Sequence, residues 1–468
     1  MRPIRLGRSW MRAALSVSWW CALLPAAVAG QRAELERTIH RQLLANGLEV
    51  IVVENHGVPL ATVEVDVKNG AFTQTPEFAG LAHMYEHMFF KANERYPDPE
   101  TFLDRAGELG AVFNGTTQEE RVNYFLTLPA DSVAGGIAFL AAALRAPLFR
   151  PDELEREKRV VIGEYDRNES NPFFRLTTAV DQKLWSTAYS RKNTLGDRNV
   201  ILSVTPAKMK AIQQAYYVPN NSALIVSGDV SPPKIFALAQ QLLGDWPRGA
   251  DPFVASPVFE PPPLTSDDAV LVEQPIGTVL VVMQWHGPSV GRDPQATYAA
   301  DVFSDVLNQP GSKLQRALVD GGLFQSLTVN YYTLNHVGPI TISGETTPDS
   351  LRRAIAALEH EISRFAEPGY FTAAELAPMK QQRAVGTTFG LERASGFAHQ
   401  LGFWWSVASL EYYMGYVDNM AKQTTEDLRR YARSYIIGKP KITGVLLSGA
   451  ARQAIQVTSD ELAHRIRP

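Results

Sequence analysis

Two histidines and a glutamate crowd into one short segment, Gly80-Leu-Ala-His83-Met-Tyr-Glu86-His87-Met-Phe-Phe90. On a helix, residues four apart share a face, so the imidazoles of His83 and His87 are close enough to hold one cation together. Glu86 falls on the edge of that face, where it reaches a water on the cation without being a ligand. Three ionisable groups among Leu, Met and Phe cost several kcal/mol to bury unless something pairs them. A divalent cation does so, and the chemistry it brings is hydrolysis by an activated water, with Glu86 as the base.

A catalytic zinc ion usually takes three protein ligands and keeps one position for water, so a third donor must come from another element. Pro151-Asp152-Glu153 opens a long helix, with proline at its first position and acids that suit its dipole. That helix carries Glu153, Glu155, Glu157 and Glu164, most of them expected to be solvated charges. Glu164 stands apart because it follows Val160-Val161-Ile162-Gly163, a stretch expected to be buried. Glu157, seven residues earlier, lies on almost the same helix face and is expected to orient a ligand histidine through its other ring nitrogen.

These groups need a scaffold. Leu48 to Val67 reads as two strands joined around His56-Gly57-Val58-Pro59, and the strict alternation of the second predicts one buried face. Helices are expected from Gly80 to Lys91 and from Pro99 to Leu109. A strand pair follows, one strand around Asn114-Gly115 and one over 122–127, then an alanine-rich helix from Ser132 to Leu144. Asp251-Pro252, Pro257 and Pro261-Pro262-Pro263 predict a stiff, extended linker over 251–267. Beyond it the order returns: a strand at 278–283, a helix at 296–307, strands at 327–331 and 340–342, a helix at 348–365. Thr205 precedes Tyr216 by eleven residues, as Thr424 precedes Tyr435, and an apolar strand follows each pair. Repetition of this kind predicts duplication. The expected fold is α+β: two homologous α/β-sandwich domains in tandem, each an antiparallel-rich sheet with helices packed on one face. The first, residues 38–250, bears the metal; the second, 268–450, does not; residues 451–468 form a tail.

Composition narrows the function. The 468 residues are 45% hydrophobic and 20% charged, which is ordinary for a soluble globular protein. Arg2, Arg5, Arg8 and Arg12 precede an apolar run from Ala13 to Leu24, and Ala27-Val28-Ala29 offers a cleavage pattern, so residues 1–29 read as a signal peptide. The mature chain is then expected beyond a membrane, periplasmic or secreted, with no stable membrane insertion. Loss of those four arginines takes the formal net charge from −4 to −8, which argues against nucleic acid as a partner. It also removes Cys21, the one cysteine, excluding a thiol nucleophile, a thiolate metal site and a disulfide framework.

At its metal segment the chain resembles the pitrilysin/insulinase family of inverted zincins, and most of all its short-chain bacterial processing-protease-like members. Their H-x-x-E-H motif matches His83 to His87, and their third ligand, a Glu about seventy-seven residues later, matches Glu164. A second family Glu, seven residues before that ligand, matches Glu157. Gly110-Ala-Val-Phe-Asn114-Gly-Thr-Thr resembles the G-A-x-x-N-A-x-T strand that pairs with substrate, with Gly115 in place of Ala, and Ser227-Gly228-Asp229-Val230 resembles the G-D-V closing the first domain. The resemblance implies a zinc metalloendopeptidase with one Zn²⁺ per chain, ligated by His83, His87 and Glu164, with Glu86 as base and Asn114 contacting an extended peptide. Active members use an Arg and a Tyr from a non-metal domain. Tyr331 and Tyr332 lie in the right region, but no Arg or Lys lies between Arg316 and Arg352. Family members enclose peptides between two double-domain halves, so the resemblance implies a homodimer, or a heterodimer with a related Arg/Tyr-bearing subunit. Other readings are a peptide-binding or structural member of the same fold, or a zinc amidase acting on cell-wall material.

Overall fold

A computed structural model describes residues 31–464. The signal peptide expected over 1–29, Cys21 within it and the last four residues lie outside the described residues. Two sheets organise the chain. The first contains β1 (Ile39–Leu43), β2 (Glu49–Glu54), β3 (Leu60–Val67), β4 (Val112–Thr117), β5 (Val122–Pro129) and β6 (Ser222–Gly228), in the order β1-β2-β6-β3-β5-β4. The second contains β7 (Asp268–Glu273), β8 (Val279–His286), β9 (Ser326–Tyr331), β10 (Pro339–Thr346) and β11 (Ile442–Leu447), in the order β7-β11-β8-β10-β9. Leaving aside β1, the two orders superimpose strand for strand. In each sheet one pair is parallel, β2 with β6 and β7 with β11, and every other pairing is antiparallel.

The helices that matter most here are α1 (Leu81–Phe89), α2 (Val133–Arg145), α3 (Pro151–Glu169), α4 (Pro172–Trp185), α5 (Pro206–Tyr216), α6 (Pro294–Leu307), α7 (Leu351–Arg364), α8 (Ala373–Gly390), α9 (Ala394–Val407) and α10 (Thr425–Tyr435). The threonines that mark the repeat are helix caps. The Thr205 side chain accepts from the Lys208 N–H at the start of α5, and Thr424 accepts from Asp427 N–H at the start of α10. The tandem duplication is thus present at the level of topology and capping.

Each sheet packs its own half's helices on one face, α2 on the first and α7 on the second. The other face receives a helix from the opposite half. Leu176, Val180, Leu184 and Trp185 of α4 pack on Val282, Ile442 and Leu446 of the second sheet. Phe397, Ala398, Leu401 and Trp405 of α9 pack on Ile51, Val53, Ala223 and Ile225 of the first. The alternation in β3 therefore does not mark a solvent face: Thr62, Glu64 and Asp66 are all completely buried. Asn123 donates to Glu64 at 2.6 Å, His399 Nδ1 lies 2.5 Å from Glu64, and Arg121 donates to the His399 carbonyl at 2.8 Å. Gly402 lets α9 approach this closely, since a Cβ there would lie 2.3 Å from the Asp66 carboxylate.

The proline-rich stretch opens with a helical turn, Pro252–Ala255, whose Phe253 ring sits 5.5 Å from that of Phe72. The tail contains the helices Gly449–Ile455 and Ser459–Ala463, the latter tied to α7 by Arg352 donating to Glu461.

Candidate metal centre

Helix α1 starts abruptly because Gly80 takes a left-handed conformation, φ 90°, that only glycine adopts cheaply. The side-chain oxygen of Gln74 accepts from the N–H groups of Gly80 and Ala82, at 2.8 and 3.3 Å, satisfying the start of the helix. Leu81, Met84, Tyr85, Met88 and Phe89 turn inward and anchor it in the core, leaving His83, Glu86 and His87 on the half-buried opposite side. Helix α3 crosses that side and brings Glu164.

The three expected ligands converge. His83 Nε2 and His87 Nε2 are 3.3 Å apart, and Glu164 Oε2 lies 3.5 Å from the first and 3.6 Å from the second. A tetrahedral zinc ion about 2.0–2.2 Å from each donor sets its donors roughly 3.3–3.6 Å apart. Among the described residues this is the one group of three His, Cys, Asp or Glu with donors gathered closely enough to hold a metal ion. Charge fits as well: Glu86, Glu157 and Glu164 against Lys91 leave two negative charges around two imidazoles, which a divalent cation neutralises. Burial, and then the neighbouring His87, push the His83 pKa down to about 4, so this imidazole is neutral as a metal ligand must be. His87 is pushed up despite its burial, by the hydrogen bond it donates to Glu157 and by the charges of Glu86 and Glu164.

The other acids of α3 separate clearly. Glu157 Oε2 is 3.1 Å from His87 Nδ1, and its second oxygen receives Lys91 Nζ at 2.7 Å. Glu153 is buried elsewhere, facing the Ala92 N–H, and Glu155 is exposed beside Lys158. The reason for favouring Glu164 holds only in part: Val161 is fully buried, but Val160 is 47% exposed.

Glu86 stands beside the cluster without entering it. Thr117 donates to its Oε2 at 2.7 Å, and burial raises its pKa although that hydrogen bond works the other way. Gly115 gives it room, because a Cβ at that position would lie 2.9 Å from Glu86 Cγ. Thr117, Gly115 and Lys91 were not singled out as contacts from the sequence, though signals existed. Residues 115 and 117 share one face of an alternating strand, and Lys91 follows His87 by four. Asn114 is not brought to the metal ligands. It is exposed on β4, which forms one edge of the first sheet, and its side-chain oxygen accepts from Gly115 N–H at 2.9 Å. Tyr331 is buried and donates to the Pro288 carbonyl at 3.0 Å. Tyr332 sits against Glu119, its ionisation pushed up by burial and then by that charge.

Comparison with known proteins bears on the family and the fold. Residues 49–198 match the model of the insulinase peptidases, peptidase family M16, and residues 203–383 match the model of the M16 inactive domain. The zinc protease PqqE of Helicobacter pylori is 26% identical over 373 residues, covering 76% of this chain and 80% of that one. A protease structure from Helicobacter pylori superimposes with a TM-score of 0.79 at 22% identity, over 87% of this chain and 99% of that one. The periplasmic protease PqqL from Escherichia coli superimposes with a TM-score of 0.72 at 18% identity, over 92% of this chain but 50% of that one. Of the insulin-degrading enzyme homolog of Dictyostelium discoideum, 26% identical over 185 residues, the chain spans 19% of the length. With the first half matching the insulinase peptidase model, the next segment matching the M16 inactive-domain model, and both built on one repeated topology, the chain belongs to the insulinase family, peptidase family M16.

Proposed function

We propose that this chain is a zinc-dependent endopeptidase of extended peptides, with His83, His87 and Glu164 as the ligands of a single Zn²⁺ and Glu86 as the general base. The observation that carries this reading is the triangle of donors with edges of 3.3, 3.5 and 3.6 Å beside a hydrogen-bonded, non-ligating carboxylate. Zinc held there supplies a Lewis acid for the scissile carbonyl and lowers the pKa of water at the site toward about 7. Glu86 takes the proton of the attacking water and returns it to the leaving amine. Thr117 holds one Glu86 oxygen and so restrains that carboxylate, and Glu157 holds the His87 ring at Nδ1, leaving Nε2 beside His83 and Glu164. The open edge of β4, with Asn114 on it, suits a substrate bound as an added strand.

Two further features extend the reading. Both tyrosines of the second half that could meet substrate are turned into contacts of their own, and no basic residue lies near them in sequence. The chain also corresponds to half of a longer relative. Together these support a second subunit: a related chain would complete the substrate site with an Arg and a Tyr, whereas another copy would enclose the peptide without adding that pair. The leader pattern, the periplasmic relative and the absence, among the described residues, of a helix able to cross a membrane support an exported, periplasmic or secreted protein.

The test is Glu86→Gln, assayed for zinc content and for cleavage of unstructured peptides, with and without a candidate partner. Zinc is expected to stay near one ion per chain, and cleavage to fall by about 10²–10⁴-fold. Cleavage at the parental rate would remove Glu86 as the base, and a parent chain that binds no zinc would remove the hydrolase reading itself.

A further inference from the structure

The second half contains a counterpart of the metal centre, built from different chemistry. Helix α6 follows β8 as α1 follows β3, and it packs against α8, β9 and α10 as α1 packs against α3, β4 and α5. Asp301 and Asp305 on α6 are four residues apart, like His83 and His87. Seventy-seven residues separate His87 from Glu164 on α3, and seventy-eight separate Asp305 from Arg383 on α8. The position of the base Glu86 is taken by Ser304, whose buried hydroxyl has no hydrogen-bond partner, and that of Glu157 by Leu376, part of the apolar core.

Arg383 lies where α8 meets α6, the counterparts of α3 and α1. Its Nε and Nη2 donate to the two oxygens of Asp305 at 2.7 and 2.6 Å, a bidentate pair. Its Nη1 donates to the Tyr416 hydroxyl at 3.1 Å and lies 3.9 Å from Asp301, and the Tyr416 hydroxyl donates to Asp301 in turn. Arg383 and Glu164 are equally exposed, at 31% of the side chain, so the two centres sit at similar depth. One site offers neutral and anionic donors to a cation from solution. The other offers two anions to a cation that is part of the chain.

We propose that the Arg383 guanidinium is the second half's resident substitute for a metal ion, closing α6 onto α8 through Asp301 and Asp305 and leaving this centre silent in catalysis. Removing the guanidinium then uncovers a carboxylate site for a hard divalent cation such as Mn²⁺. A buried carboxylate, Asp301, and a half-buried one, Asp305, left without a cation destabilise the fold, whereas a cation that binds only the folded form restores it by mass action.

The experiment uses the full chain carrying His83→Ala and His87→Ala, so binding at the first centre contributes nothing and the result stands apart from the zinc reading. In that background Arg383→Ala is expected to melt several degrees lower, and millimolar manganese(II) chloride to restore at least half of the loss while leaving the parent unmoved. Adding Asp301→Asn and Asp305→Asn should abolish the manganese response. Arg383→Ala melting with its parent, a deficit that manganese leaves untouched, or a response that survives loss of both aspartates overturns the proposal. Should Arg383→Ala fail to fold, the uncharged D301N/D305N/R383M chain decides. It is expected to fold, because the charges to be balanced are gone, and its failure to fold overturns the proposal equally.

Discussion

Glu157→Gln removes one negative charge while keeping the length of the side chain and an oxygen that accepts a hydrogen bond. In the parent, Glu157 reaches His87 Nδ1 at 3.1 Å and Lys91 Nζ at 2.7 Å, with only 12% of its side chain exposed. Burial pushes its carboxyl up, but the hydrogen bonds from His87 and Lys91 outweigh that and hold it below the usual carboxylate range, so it is charged at neutral pH. A carboxylate behind a metal-bound histidine is worth about 10–100-fold in metal affinity, or about 1.4–2.7 kcal/mol. Here the loss combines a weaker grip on the His87 ring with a Lys91 cation stranded beside it, so a value near the upper end is expected. The assay is zinc competition against a chelator of known affinity, followed by peptide cleavage at saturating zinc. Glu86, Thr117 and Glu164 are untouched, so kcat at saturation should stay within about threefold of the parent. Lys91→Met on top of Glu157→Gln removes the stranded charge and should recover part of the affinity, a coupling that the double-mutant cycle reads directly. Zinc affinity within twofold of the parent, or a collapse of kcat with affinity unchanged, refutes the role assigned to Glu157.

Thr117→Val deletes the 2.7 Å hydrogen bond to Glu86. A hydrogen bond to a charged group contributes about 1.5–3 kcal/mol, so kcat should fall by about tenfold or more with zinc content unchanged, and an unaltered kcat would show the hydroxyl to be idle. Asp66→Asn tests the buried contact between the halves through the pH dependence of melting. Both Asp66 oxygens lack a hydrogen-bond partner, and its carboxyl is pushed well above the usual range, first by burial and then by Glu64, with Arg121 opposing. The folded chain therefore keeps a proton that the unfolded chain releases above about pH 3.9, and stability falls as pH rises from there toward the folded-state pKa. The variant should melt above the parent near about pH 8 and with it near about pH 4; identical curves would mean that Asp66 is not protonated in the fold.

The centre was legible where its geometry is local. Two histidines four apart on one helix need no tertiary information to share a face, and Glu157 and Glu164 share a face of a helix whose start is marked by Pro151. Legibility ended where a second element crosses the first. Thr117 and Gly115 reach Glu86 only because β4 lies against α1, and nothing in their own neighbourhood in sequence requires that contact. The alternation of β3 misled for a related reason: Thr62, Glu64 and Asp66 look like a solvent face until α9, more than three hundred residues away, brings His399 onto them. A polar residue in a strand reads as exposed unless its partners are known; Thr127, Asn123 and Arg121 come from the same half, and His399 on Glu64 comes from the other. The duplication, in contrast, was visible because each copy needs the same cap at the same place, and Thr205 and Thr424 supply it.

The crossing helices also decide what kind of unit the metal-bearing half is. Ile51, Val53 and Ile225 on the back of the first sheet are covered by Phe397, Leu401 and Trp405 of α9. Burying a large aliphatic side chain contributes about 1.5–3 kcal/mol, so these three alone contribute roughly 5–9 kcal/mol, a sum comparable with the whole stability of an ordinary domain. Glu64 and Asp66 on the same face would also gain access to water if α9 left, and the close contact that Gly402 permits would be lost. The front of that sheet is the surface on which α1 is seated and beside which β4 aligns Thr117 with Glu86. Support for the proposed metal centre therefore runs through the strands to a helix of the other half. The second copy is not a separable module, because the first sheet keeps its back face covered only while α9 of the second half packs on it.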